Sequence, residues 1–240
     1  MNAKRPFVLV NMAMTTDGKI ATANRAVSSF SSRRDRNHLL DLRAAADAVA
    51  AGARTVDSNP INMGPGPVKY RRLRLKNGLA EYNLRVIVSG SGGISPKAEV
   101  FKHRFSPIII LTTRCARRNK LKQLRAVADE VKICGGNQIN FRAAFRWLRA
   151  KWGVKRLLCE GGGELNDALF RARVVDELHL TVCPKIFGGR NAPTIADGAG
   201  VARLPEAIRL QLKSSRLVGD ELFLVYEVAE RTGLPRHRGA

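Results

Sequence analysis

The chain has 240 residues, 45% of them hydrophobic and 26% charged, and its 42 Lys and Arg outweigh 20 Asp and Glu for a formal net charge of +22. This allows a sizeable packed core, and no apolar run approaches the roughly 18–20 residues that would cross a bilayer. The N-terminus runs into an alternating apolar segment with no long leader-like stretch, so it reads as the first strand of a cytoplasmic protein with no membrane partner.

The first strand is PFVLVNMAM (6–14), and MTTDGKIAT (14–22) supplies the polar turn after it. SSRRDRNHLLDLRAAA (31–46) reads as a helix, with Ser32 as N-cap and Asp35 as its capping-box partner. DAVAAG (47–52) is the next strand and leads into a short loop that holds Thr55, Asp57 and Asn59. From 57 to 83 the chain is rich in Pro, Gly and basic residues, and it reads as one large inserted loop. Strands follow at 84–90, 107–113, 130–135, 155–161 and 177–186, with amphipathic helices at 118–127, 140–152 and 163–173. Residues 211–229 fold as two strands around a Gly219-Asp220 turn, and a frayed tail runs from about 231.

Several strands are apolar throughout rather than alternating, the pattern of parallel strands covered on both faces. Strand–helix alternation then gives an α/β domain over 1–230, its sheet mostly parallel, with the C-terminal hairpin as an antiparallel edge. The four cysteines are widely spaced and the four histidines show no HxxxH or HExxH spacing, so neither a disulfide framework nor a metal site is expected. The positive charge invites a nucleic-acid reading, because Lys and Arg displace counterions from phosphates. It is spread along the chain with few aromatics and no recognition signature, so a surface attracting small phosphorylated molecules is expected, and no specific nucleic acid.

CEGGGELNDALF (159–170) sets three glycines between a buried strand and a helix. Such a turn bends sharply, bares main-chain N–H groups and aims a helix N-terminus at one spot, which suits an anion. It lacks the GxGxxG and GxxxxGK[ST] spacings, and a triple glycine is also a purely structural device. Lys185, in PKIFGGRNAPT (184–194), fits either a phosphate contact or a surface position. Together these glycine-bearing turns after strands resemble the rim of a cleft.

Taken as a set, MAMTTDGKIAT, LRAAADAVAAGARTV, CEGGGELNDALF, VVDELHLTVCPKIFGGRNAPT and DGAGV resemble the riboflavin-pathway reductases, from about Arg5 to Glu227. These reduce a phosphoribosylaminopyrimidine to its ribitylamino form. The resemblance implies a dihydrofolate-reductase-like three-layer fold, NADPH as hydride donor and a homodimer. With no HxE…PCxxC zinc-deaminase signature, the chain is similar to the stand-alone archaeal and fungal reductases. The substrate implied is 2,5-diamino-6-(ribosylamino)-4(3H)-pyrimidinone 5′-phosphate. The alternatives are the 5-amino-6-(5-phosphoribosylamino)uracil compound and, on the same fold, a dihydrofolate or other pterin.

By the same resemblance, Gly161, Gly162, Gly163, Gly52 and Thr55 fall on the cofactor side, with Thr16 and Asp17 lining the cleft. Glu160 matches a glutamate near the ribose, and Asp57 matches the family aspartate across a one-residue gap, making both catalytic candidates. Asn11, Ser32, Arg43 and Lys185 are the substrate-side candidates, Arg43 for the phosphate. The arginine usual after the aspartate is missing, leaving Arg71, Arg72 or Arg74 to replace it, and Ser89-Gly90 stands where Asp-Ser is usual.

Overall fold

The computed structural model describes residues 4–25 and 30–229. The strands are β1 (Phe7–Thr15), β2 (Ala48–Gly52), β3 (Leu84–Val88), β4 (Ile108–Thr112), β5 (Glu130–Ile133), β6 (Arg156–Cys159), β7 (Glu177–Cys183), β8 (Leu210–Val218) and β9 (Glu221–Val228). The helices are α1 (Arg33–Ala44), α2 (Ala53–Ser58), α3 (Val68–Lys76), α4 (Glu99–Lys102), α5 (Arg118–Val127), α6 (Phe141–Trp152) and α7 (Gly163–Arg171). The strands lie in the order β5-β4-β3-β2-β6-β1-β7-β9-β8; the pairings are parallel as far as β7, and β9 runs antiparallel to both β7 and β8. The proposed tail lies outside the described residues.

The continuous apolar strands are buried on both faces, as their composition requires. Val8, Val10, Leu157 and Cys159 pack with α6 and α7 through Phe145, Leu148, Leu165 and Leu169. The alternate residues Leu9, Val49, Ile110 and Leu158 pack with Leu42 of α1, Val56 of α2, Val100 of α4 and Leu124 of α5. Helices therefore cover the sheet on both sides, the three layers expected. The chain builds outward from β2 to β5, then returns to insert β6 between β2 and β1. Such a reversal opens a crevice beyond the carboxyl ends of the strands.

Two readings of local structure change. The loop expected after Gly52 is the short helix α2, and residues 68–76 of the expected long loop are the helix α3. Arg74 explains α3: the residue is 1% exposed, and its guanidinium donates to the carbonyls of Ala80, Arg43 and Ala46. It ties α3 to the end of α1 and is not available to a phosphate. Arg71 binds Glu81 and the Tyr82 hydroxyl, which leaves Arg72 as the exposed arginine of the three. Ser32 does cap α1, but its amide and hydroxyl are held by Glu221 of β9, not by Asp35.

Candidate active site

A cleft of about 860 Å³ opens along the carboxyl ends of β3, β2, β6 and β1. Its walls include Gly52 and Thr55 at the start of α2, Ser89 after β3, Thr113 after β4, and residues 160–165 apart from Gly161.

The glycine turn is shaped mainly by packing. Gly161 has φ +79°, and a Cβ there would sit 2.7 Å from Met12 Sδ. At Gly163 a Cβ would lie 2.4 Å from the main-chain oxygen of Thr194, so no side chain fits. The Gly52 N–H donates to Gly161 O and the Gly162 N–H donates to Thr55 Oγ1, both at 2.8 Å. The expectation of three bare amides is thereby corrected at Gly162, whose N–H the protein itself uses. What faces the cleft is the start of α7: Gly162 is its N-cap, no side chain caps it, and Gly163, Glu164 and Leu165 line the cavity. An uncapped helix N-terminus carries partial positive charge where a phosphate could dock.

Glu160 follows β6 and meets Arg43 of α1 in a two-pronged ion pair, Nε to Oε1 and Nη2 to Oε2, each 2.6 Å. Their side chains are 11% and 12% exposed. Arg43 also donates through Nη1 to Gly64 O at 2.6 Å. Burial opposes its charge, but the charge and hydrogen bonds of Glu160 outweigh that and raise its pKa. Two residues assigned separately from sequence, one to the sugar and one to the phosphate, thus form one unit. The second N–H on each terminal nitrogen of Arg43 is what remains for an anion.

The other candidates divide by place. Asp57 lines the cleft, exposed, with both carboxylate oxygens accepting from the Ser95 N–H at 3.0 and 3.3 Å. Thr16, Asp17 and Lys185 do not line it; they brace the carboxyl ends of β1 and β7. Thr16 donates to Cys183 O, and Lys185 Nζ donates to Phe30 O at 2.8 Å. Asp17 accepts from the Thr15 hydroxyl and the N–H groups of Phe187 and Gly188, and the Thr15 hydroxyl chiefly lowers its pKa.

Asn11 lies deeper on β1, 7% exposed, and its Oδ1 finds no hydrogen-bond partner among the described residues. Beside it is a group that sequence reasoning missed. His179 Nε2 meets Glu177 Oε1 at 2.6 Å, and His179 Nδ1 meets His38 Nε2 at 3.2 Å. Lys213 Nζ donates to the other Glu177 oxygen at 2.9 Å. A polar residue at every second position of β7, Glu177, His179 and Thr181, was the signal for a polar layer beneath α1. Asp197 was missed as well: it accepts from Thr194 N and Oγ1, and its own N–H donates to Gly163 O.

The family described as the RibD C-terminal domain matches residues 6–224. A 2,5-diamino-6-ribosylamino-4(3H)-pyrimidinone 5′-phosphate reductase of Methanothermobacter thermautotrophicus is 33% identical over 93% of this chain and 99% of its own. A pyrimidine reductase-like protein of Corynebacterium diphtheriae superposes with a TM-score of 0.77 at 22% identity, covering 94% of this chain and 92% of that one. Dihydrofolate reductase of Enterococcus faecalis, solved in complex with NADP(H), superposes with a TM-score of 0.50 at 10% identity, covering 93% and 97%.

Proposed function

The chain belongs to the RibD C-terminal domain family, and from that premise we propose that it is the NADPH-dependent 2,5-diamino-6-ribosylamino-4(3H)-pyrimidinone 5′-phosphate reductase of riboflavin biosynthesis. It is an oxidoreductase, a reductase that uses a nicotinamide cofactor.

The observation that carries this reading is the position of Glu160. It follows β6 at the boundary between the cleft over α7 and the face of the sheet that α1 covers. A dinucleotide lying along the strand ends would bring its reactive end to that boundary. The cleft fits such a guest in volume, in the uncapped start of α7 and in the glycines that keep side chains out. Gly163, Glu164 and Leu165 would hold its phosphates, with Gly52 and Thr55 as the opposite wall. When bound, the cofactor supplies the hydride that reduces C1′ of the sugar.

On the substrate side the chain's task is to orient and to exclude water. Glu160, fixed by Arg43, offers its oxygens to sugar hydroxyls and supports the opening of the ribosyl ring. Arg43 presents its remaining N–H groups to the 5′-phosphate, where a planar fork suits two oxygens. Asn11 faces the base, and Ser32, held by Glu221, fixes the start of α1. Asp57, on the exposed lip, assists from the cofactor side. A homodimer is part of the reading: the edge strand β8 exposes Leu210, Leu212 and Leu217, an apolar edge that a second copy would cover. The compartment is the cytoplasm.

The deciding experiment follows NADPH consumption with the diaminopyrimidinone and, in parallel, with 5-amino-6-(5-phosphoribosylamino)uracil. Turnover of the first is expected, with little of the second. A protein that binds no NADPH, or that prefers the uracil, overturns the assignment.

A further inference from the structure

Three adjacent strands place polar residues in one row. Val10 of β1 is level with Cys159 of β6, the last pair of that ladder, and Asn11 and Glu160 are the residues that follow them. Asn11 is in turn level with His179 of β7. Neighbouring strands are about 4.8 Å apart, so Asn11 stands beside His179. All three face α1, since the alternate positions Val10 and Cys159 pack with the opposite layer while Leu9 and Leu158 pack with Leu42. The cleft reaches the row at Glu160, and it touches β1 at Met12 and Ala13, the two residues after Asn11.

Helix α1 holds both ends of the row and leaves the middle alone. Arg43 takes both oxygens of Glu160. His38 and Glu177 take both ring nitrogens of His179. A carboxylate only accepts, so His179 donates through Nε2, and its Nδ1 is taken up by His38 Nε2 whichever of the two carries the proton between them. The ring of His179 therefore has no donor left for its neighbour, and neither has Glu160. Asn11 is 7% exposed, and its Oδ1 has no partner among the described residues beside the occupied His179. A buried carbonyl without a donor is costly, and a ligand that brings an N–H recovers the cost.

We propose that His179 is a positioning residue for the pyrimidine, acting through Asn11: clamped on both nitrogens, it walls one side of the Asn11 amide and reserves the amide carbonyl for an N–H of the substrate base. His38 and Glu177 are the clamp. This rests on the reductase reading, and it adds a device that places the base relative to the sugar-side pair of Glu160 and Arg43.

The test is a double-mutant cycle on the full chain, reading KM for the pyrimidine, kcat and NADPH affinity separately. His179→Leu is expected to raise the pyrimidine KM about tenfold, roughly one lost hydrogen bond to a buried group, with kcat and NADPH affinity close to wild type. Asn11→Ala should raise it similarly, and the double variant should be no worse than Asn11→Ala alone. If His179→Leu does not fold, His38→Leu takes its place in the same cycle, and His38→Gln, which keeps a donor toward His179, should restore KM. Additive effects, or a KM unmoved in the His179 and His38 variants, overturn the proposal while wild-type turnover leaves the reductase reading standing. A wild type that reduces neither pyrimidine removes that reading, and this inference with it.

Discussion

Two glycine-rich turns look alike in the sequence, 160–163 after β6 and 187–189 after β7, and they work in opposite ways. In the first, Cβ atoms at Gly161 and Gly163 would strike Met12 Sδ at 2.7 Å and Thr194 O at 2.4 Å. In the second, a Cβ at Gly188 meets nothing within 4 Å, and at Gly189 only the Cβ atoms of Ala23 and Ala192, at 3.2 and 3.3 Å, come close. Gly188 serves a left-handed bend, φ +63°, whose N–H Asp17 holds. The first turn needs glycine because neighbours crowd it, with a positive φ at Gly161 besides, whereas Gly188 needs it for the bend alone. A cleft is built at the crowded turn because close packing there fixes the direction of α7.

The largest effect should come from the ion pair at the first turn. Arg43→Ala leaves Glu160 as a buried charge without its partner, which costs about 3–5 kcal/mol of stability. Glu160→Gln strands the Arg43 guanidinium and should abolish turnover as well as lower the melting midpoint, so denaturation and kinetics have to be read together. The two changes combined should cost less than their sum. A Glu160→Gln protein with wild-type stability would mean that the pair is not formed in solution.

Next in size is the contrast between the turns themselves. Gly163→Ala drives a methyl into a main-chain oxygen and should cost about 3 kcal/mol, with loss of NADPH affinity as the start of α7 moves. Gly161→Ala should approach that, relieved in part by Met12→Ala, because the first obstacle is a flexible thioether. Gly188→Ala has only its left-handed φ to overcome and should cost about 1 kcal/mol with cofactor affinity unchanged. Equal losses at Gly163 and Gly188 in chemical denaturation would erase the distinction.

How much of this the sequence disclosed depends on what kind of signal each part carries. The strands were readable because parallel, doubly covered strands are continuous apolar runs. Ser32 was readable because capping is local, whereas its second partner, Glu221, is 189 residues away. Helix α3 was hidden because its two buried residues are Tyr70 and Arg74, so the stripe that marks a helix was half charged. The site residues were legible singly and not in pairs. Glu160 and Arg43 lie 117 residues apart, and His38 and His179 lie 141 apart. No spacing rule joins side chains that meet only after the sheet has formed.

The smallest effect expected lies on the side of the row away from the glycine turns. Burial and the neighbouring His179 lower the pKa of His38 from its ordinary 6.5, with Arg216 pushing the same way and Asp35 and Asp41 opposing. The unfolded chain therefore takes up a proton near pH 6.5 that the folded chain refuses until lower pH. Stability from this group is complete above about 6.5 and falls as the pH drops toward the folded value. Glu177 acts in a separate window. Burial raises its pKa, but the hydrogen bonds from Lys213 and His179 prevail and hold it below 4.5, so its contribution persists until the pH falls under that value. Unfolding midpoints measured against pH should thus decline in two stages. In His38→Gln the upper stage should vanish and the lower one remain, because a glutamine amide does not titrate in this range. An unchanged upper stage in that variant would assign it to another group and separate His38 from the pair.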